Sequence, residues 1–119
     1  MMKKELLDGV LAELKKTVNV EASAIVTRSG LLISGDLPED IGGETFAAMS
    51  ATILGAAETA TMEIKNEIPE RVIVETEKRR VITVGAGEKA LIVCITSDPD
   101  LKLVLSELKK AAEKVREIL

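Results

Sequence analysis

Few side chains in this chain have types that could do chemistry, and most of those have a quieter use. None of the 119 residues is a histidine, which removes the usual general base near neutral pH and the commonest metal ligand. Cys94 is the sole cysteine. It can form neither an internal disulfide nor a thiolate cluster, it fits a reducing compartment, and it reads as a small core residue of a strand rather than a nucleophile. The acidic pairs Glu39-Asp40, Glu75/Glu77 and Asp98/Asp100 have spacings that acid–base catalysis or calcium coordination would use. Each sits beside a turn or a helix start, where capping and solubility account for it. Gly85-Ala86-Gly87 follows a strand-like run, but no glycine-rich segment leads on into a helix, so neither a phosphate loop nor a dinucleotide fingerprint is present. The expectation is a protein with no catalytic, cofactor or metal site.

Charge and composition narrow the partners. A net charge of −4 and a single aromatic residue, Phe46, leave neither the basic patch nor the stacking platform that nucleic acid requires. Apolar residues at 46% beside charged residues at 30% give the balance of a folded domain rather than a disordered chain. Residues 1–8 are charged with no apolar run after them, and no stretch of about 18 apolar residues follows. A cytoplasmic protein with no membrane insertion, folded as one domain over residues 1–119, is expected.

The elements that must position these residues follow from periodicity. Leu6, Leu7, Val10, Leu11, Leu14 and Val18 recur at helical spacing over Lys3 to Val18, with Lys and Glu on much of the other face. Ala22 to Thr27 and Leu31 to Ser34 flank Arg28-Ser29-Gly30 and read as a β-hairpin. Leu37 to Asp40 breaks the chain, and Asp40 can cap a second helix from Ile41 to Asn66. Three strand-like runs come next: Arg71 to Glu75, Val81 to Gly85 and Ala90 to Thr96. The connections Thr76 to Arg79 and Ala86 to Glu88 are short enough for an antiparallel meander. Ser97-Asp98-Pro99-Asp100 then supplies a cap for a closing helix that carries Leu101, Val104, Leu105, Leu108, Ala111, Ala112, Val115 and Leu119 on one stripe. In the last strand Leu91, Val93 and Ile95 alternate with Ile92 and Cys94, so both faces of the sheet must be covered. One helix on one face and two on the other is the economical solution.

The second helix is unusual in composition. On a wheel at about 100° per residue, Phe46, Met49, Ile53, Ala57, Ala60 and Ile64 share one arc and are expected to face the sheet. Opposite them lie Ala48, Ala51, Thr52, Gly55, Thr59 and Met62, flanked by Ala47 and Leu54. No charged residue occurs between Thr45 and Ala57, although an outward helix face is normally rich in Lys, Glu and Gln. Gly55 costs about 1 kcal/mol relative to Ala at a mid-helix position, which calls for a compensating contact. Small residues three and four apart let two helices approach closely, so a two-fold homodimer through this face is expected. The alternative is that Ala and Thr merely decorate an exposed helix. Glu58, at the edge of the face, either pairs with a basic residue of a partner or is solvated.

Taken together, these segments resemble the roadblock/LC7 family in its small, single-domain prokaryotic form. The resemblance runs from about Leu6 to Ile118 and rests on three stretches: the hairpin Ala22 to Ser34 with Gly30 at its turn, Ala47-Ala48-Met49-Ser50-Ala51 leading to Ala57-Glu58, and the strands Val72 to Glu77, Val81 to Val84 and Ala90 to Val93. Ser29 stands where an acidic residue commonly precedes the turn glycine, and Lys78-Arg79 where the later turn often carries Gly; both departures affect turns only. The resemblance implies an α/β sandwich of order α-β-β-α-β-β-β-α, profilin/longin-like, with a five-stranded antiparallel sheet, the second helix on one face and the terminal helices on the other. It also implies a homodimer through paired second helices and third strands. The implied interface residues are Ala47, Ala48, Ala51, Thr52, Leu54, Gly55, Glu58, Thr59, Met62, Val72, Ile73 and Val74.

Three functions compete. The resemblance implies a scaffold or regulator of a Ras-like small GTPase, the family being associated also with dynein and lysosomal adaptor complexes. An arginine supplied in trans would serve a GTPase-activating role; Arg28, Arg71, Arg79 and Arg80 qualify by type, but solvated turn and strand-end charges are the expected reading of all four. A small-molecule sensor is the second possibility, disfavoured by a helix–sheet interface with few convergent polar groups. A purely structural dimerisation module is the third. An enzyme is not expected.

Overall fold

Periodicity of 3.6 at both ends and of 2 between them produces the observed order. The computed structural model describes residues 2–119, in which α1 (Lys3–Thr17), β1 (Val20–Thr27), β2 (Leu32–Asp36), α2 (Gly43–Met62), β3 (Val72–Glu75), β4 (Arg80–Ala86), β5 (Ala90–Thr96) and α3 (Leu101–Ile118) follow one another. All five strands join one antiparallel sheet of order β2-β1-β5-β4-β3. This is the expected α/β sandwich.

Alternation along the central strands divides the interior in two. Ile92 and Cys94 of β5, with Ile25 of β1 and Ile82 of β4, pack against Leu7, Leu11 and Leu14 of α1 and Val104, Leu108 and Val115 of α3. Leu91 and Val93, with Ala24 and Val26, pack beneath α2 against Ala47 and Leu54. Cys94 lies wholly inside, and burial pushes its thiol up to about 12, so it stays protonated and unreactive.

Local chemistry sets the element ends. Asp100 caps α3 by accepting a hydrogen bond from the Leu103 amide at 3.1 Å. Asp98 accepts from the amides of Asp100 at 2.9 Å and Asn19 at 3.2 Å, tying the start of β1 to the end of β5. Asp40 does not cap α2. That helix starts after Gly42 with no side-chain cap, two residues later than its apolar pattern suggests. It also stops at Met62 rather than Asn66, because Lys65 and Asn66 turn into the left-handed region at φ 51° and 60°. At the β1–β2 turn Gly30 has φ +96°, and a side chain there would also meet the backbone of Ala48 at 3.1 Å. A glycine is required twice over, and the hairpin tip is thereby seated against α2.

Candidate functional site

The sheet-facing side of α2 is not the one its largest aliphatic residues mark. Ala47, Ser50 and Leu54 are the buried residues of this helix, whereas Met49 is 51% and Ile64 56% exposed, and Ala60 is exposed too. Of the six residues expected against the sheet, Phe46, Ile53 and Ala57 are half-buried. The true phase differs by roughly 100°, or one residue along the helix. Close approach is the reason. With Gly30 against the Ala48 backbone and Ser50 buried, the helix lies too near the sheet for a Met or Ile at the closest points, so small residues and one leucine fill the gap. Ser50 satisfies its buried hydroxyl by donating to the Phe46 carbonyl at 2.7 Å.

This rotation redistributes the expected interface residues. Ala47 and Leu54 lie under the helix with 0% and 1% of their surface exposed and are core residues. Ala48 and Ala51 are half-buried, and Thr52, Gly55, Thr59 and Met62 are exposed, now joined by Met49, Ala56 and Ala60. The outer face therefore stays free of charge from Thr45 to Ala57 even though its membership changes. Thr52 donates its hydroxyl to the Ala48 carbonyl at 2.9 Å, leaving a methyl as its outward surface. Around Gly55 there is nothing within 4 Å of where a side chain would begin, so no packing inside this chain explains the glycine.

On the edge strand β3, Val72 packs beneath α2 and Ile73 against the opposite cluster, while Val74 is 39% exposed. Its outer edge has no strand neighbour among the described residues. At the end of α2 and beyond it, Met62, Ile64 and Ile68 carry exposed apolar surface, Ile68 at 82%. Sequence reasoning missed Ile68. Its signal was an isoleucine in a polar segment between two elements, a position with no periodicity to flag it.

Glu58 has a partner within the chain. Arg28, at the end of the β1–β2 hairpin, donates one guanidinium nitrogen to both Glu58 carboxylate oxygens at 3.0 Å, and its other two nitrogens to the Gly87 carbonyl at 2.9 and 3.3 Å. Its guanidinium passes over Gly85, where a side chain would sit 2.8 Å from a guanidinium nitrogen. Three elements meet in this clamp: the hairpin, α2 and the β4–β5 turn. The expectations of a solvated Arg28, and of a Glu58 either solvated or held by a partner molecule, are corrected accordingly. Bidentate, half-buried geometry outweighs hydration here. Arg71, Arg79 and Arg80 are also paired, with Glu70, Glu21 and Glu75.

Two carboxylates are held below the usual range. Asp8 accepts hydrogen bonds from Ser34 and Lys4, and Glu21 from Arg79 and Ser97; in each case the first-named donor lowers the pKa most. Among the described residues no cluster of acidic or thiol side chains has the makings of a metal site.

A five-stranded antiparallel sheet roofed by one helix with an uncharged outer surface and floored by two amphipathic helices defines an α/β sandwich of the profilin type. The chain belongs to the Roadblock/LC7 family, whose domain model matches residues 6–96. It is 35% identical over 111 residues to the Methanocaldococcus jannaschii protein MJ1340, covering 93% of this chain and 97% of that one. Its fold superimposes on Myxococcus xanthus MglB with a TM-score of 0.90 at 22% identity, covering 99% of this chain and 90% of the other. A Roadblock/LC7 domain from Streptomyces avermitilis gives 0.85 at 16% identity, with 92% and 94% covered. Acanthamoeba castellanii profilin II gives 0.59 at 16% identity, with 89% and 95% covered.

Proposed function

We propose that this protein is a non-catalytic, homodimeric scaffold or regulator of a Ras-like small GTPase, acting in the cytoplasm as a single domain. The observation that carries the dimer is Gly55. A glycine in the middle of a 20-residue helix, on an outer face without charge and with open space above it, is destabilising for an isolated subunit. A second α2 crossing at this point explains it, since only small side chains let two helix axes come close. The exposed β3 edge beside Val74 extends the same surface, and edge pairing across a two-fold axis would remove an unpaired ladder. Interface residues on this reading are Ala48, Thr52, Gly55, Thr59 and Met62 with Val74, joined by Met49 and Ala56.

Membership of the Roadblock/LC7 family supports the GTPase partner. A non-catalytic role is supported by the unreactive Cys94 thiol and by arginines and carboxylates already held in caps and ion pairs. The interface between α2 and the sheet is filled by Ala47, Ser50 and Leu54, which disfavours a ligand sensor of that design.

The test is capture of a small Ras-like GTPase from the same organism, loaded with GDP or a non-hydrolysable GTP analogue, on immobilised wild type and Gly55→Arg. Nucleotide-dependent capture by wild type, reduced in the variant, is expected. Equal capture in both nucleotide states would refute regulation, and wild type sedimenting as a monomer would refute the dimer.

A further inference from the structure

At the end of β4 the sheet has a second, bare edge. β3 pairs with β4 only from Val72 opposite Thr83 to Glu75 opposite Arg80. The last three residues of β4, Val84 to Ala86, pair with β5 on one side, but no backbone hydrogen bond joins them to residues 68–71 on the other. The chain leading into β3 diverges there, leaving an open cleft of about 1240 Å³. Leu54 and the Arg28 clamp lie along one wall, Leu105 and Ala112 of α3 along the other.

Natural sheets blunt such edges with lysine, proline, a bulge or a covering loop. Here Pro69, Lys89 and Lys109 line the cleft, but no backbone hydrogen bond from residues 68–71 closes the edge itself. The end of β4 reads Val84-Gly85-Ala86-Gly87, with Ala86 buried and the other three half-buried, and these small residues give the unpaired edge little side-chain cover. Arg28 extends over Gly85, and the stem of Arg116 lies 3.1 Å from the place of a Gly87 side chain, so the bare stretch runs between two arginines. Cations outnumber carboxylates five to four around the cleft, whereas across the chain carboxylates outnumber cations twenty to sixteen. Lys89, Lys109 and Arg116 form no ion pair among the described residues, and neither do Glu88 and Glu113, so the lining keeps a small cationic excess.

We propose that this cleft is a strand-addition site: an extended segment of a partner protein, flanked by acidic residues, lies along Val84–Ala86 and continues the sheet. Unpaired backbone groups select an extended chain, and the apolar walls receive alternate side chains. The small cationic excess of the lining favours acidic flanks. This surface is distinct from the outer face of α2 and does not depend on the dimer.

The probe is a fluorescein-labelled peptide of alternating valine and threonine flanked by aspartates, titrated against the full chain by fluorescence anisotropy. Saturable binding is expected. The same peptide N-methylated at alternate residues loses its edge donors and should bind at least about tenfold more weakly. Lysine flanks should weaken binding about fivefold, and Lys109→Glu should abolish that preference for aspartate. Amide exchange at Gly85 should slow in the complex. Gly55→Arg should bind the peptide as wild type does, whatever becomes of the dimer. Equal affinity for the N-methylated peptide, no saturation up to about 1 mM, or loss of binding in Gly55→Arg would each overturn the proposal.

Discussion

The two faces of the sheet solve the same burial problem in different ways. Beneath α1 and α3 the core is built from large aliphatics on all three layers, and the outer surfaces of both helices are rich in Lys and Glu. Beneath α2 a single helix covers the sheet with Ala47, Ser50 and Leu54, and its outer surface carries no charge through the middle. Two helices side by side support each other, whereas α2 has only the sheet. A helix that must lie close to a sheet contributes small residues to both its sides, and its larger residues are displaced outward. Met49 ends up exposed for this reason. The contrast puts the larger aliphatic core on the α1/α3 side and, under the proposed function, association on the α2 side.

The largest effect should come from the α1/α3 side. Leu108, fully buried there, should cost about 3 kcal/mol as Leu108→Ala, read from urea unfolding. That loss should be the same at low and high protein concentration, since it concerns one subunit's core. Next comes the matched glycine pair. Gly55 on α2 and Gly9 on α1 both have open space where a side chain would start. Gly55→Arg should weaken self-association by at least about 100-fold, roughly 2–3 kcal/mol, while Gly9→Arg leaves the light-scattering mass unchanged. Equal behaviour of the two variants would dissolve the distinction between the faces.

A smaller effect belongs to the clamp that holds α2 down. Arg28→Lys loses the two-pronged geometry, and Gly85→Ala displaces the guanidinium while keeping its charge; each should cost about 1 kcal/mol. Combined with Glu58→Gln, either change should be clearly less than additive in thermal unfolding. The acid response should be smaller still. Asp8 and Glu21 have folded pKa values below their unfolded ones, so their contribution is complete above about pH 5 and fades as pH falls toward 3. Glu21→Gln should therefore lose less stability than wild type over that interval.

Much of this architecture was legible in the sequence. The 3.6-residue repeat of Leu7, Leu11 and Leu14, and that of Val104, Leu108 and Val115, marks helices whose buried stripes are unambiguous because the opposite faces are charged. Two-sided apolar alternation in residues 90–96 required cover on both faces, as found. Phase was not legible in α2. Without charged residues to mark the solvent side, side-chain size was the only guide, and size points the wrong way when the spacing is tight. The Arg28–Glu58 pair was equally hidden, since the two residues lie 30 positions apart. Its available signal was Gly85 and Gly87, where a strand gives up its side chains beside a guanidinium.

Amino-acid order alone settled which segments are helix or strand and how many layers they form, because those depend on local propensity and on alternation. Tertiary structure alone decided which side of α2 meets the sheet, which cation Glu58 binds, and that β4 runs past the start of β3 to leave an open edge. These are consequences of distances between elements remote in sequence, and such distances are set only when all the layers pack together.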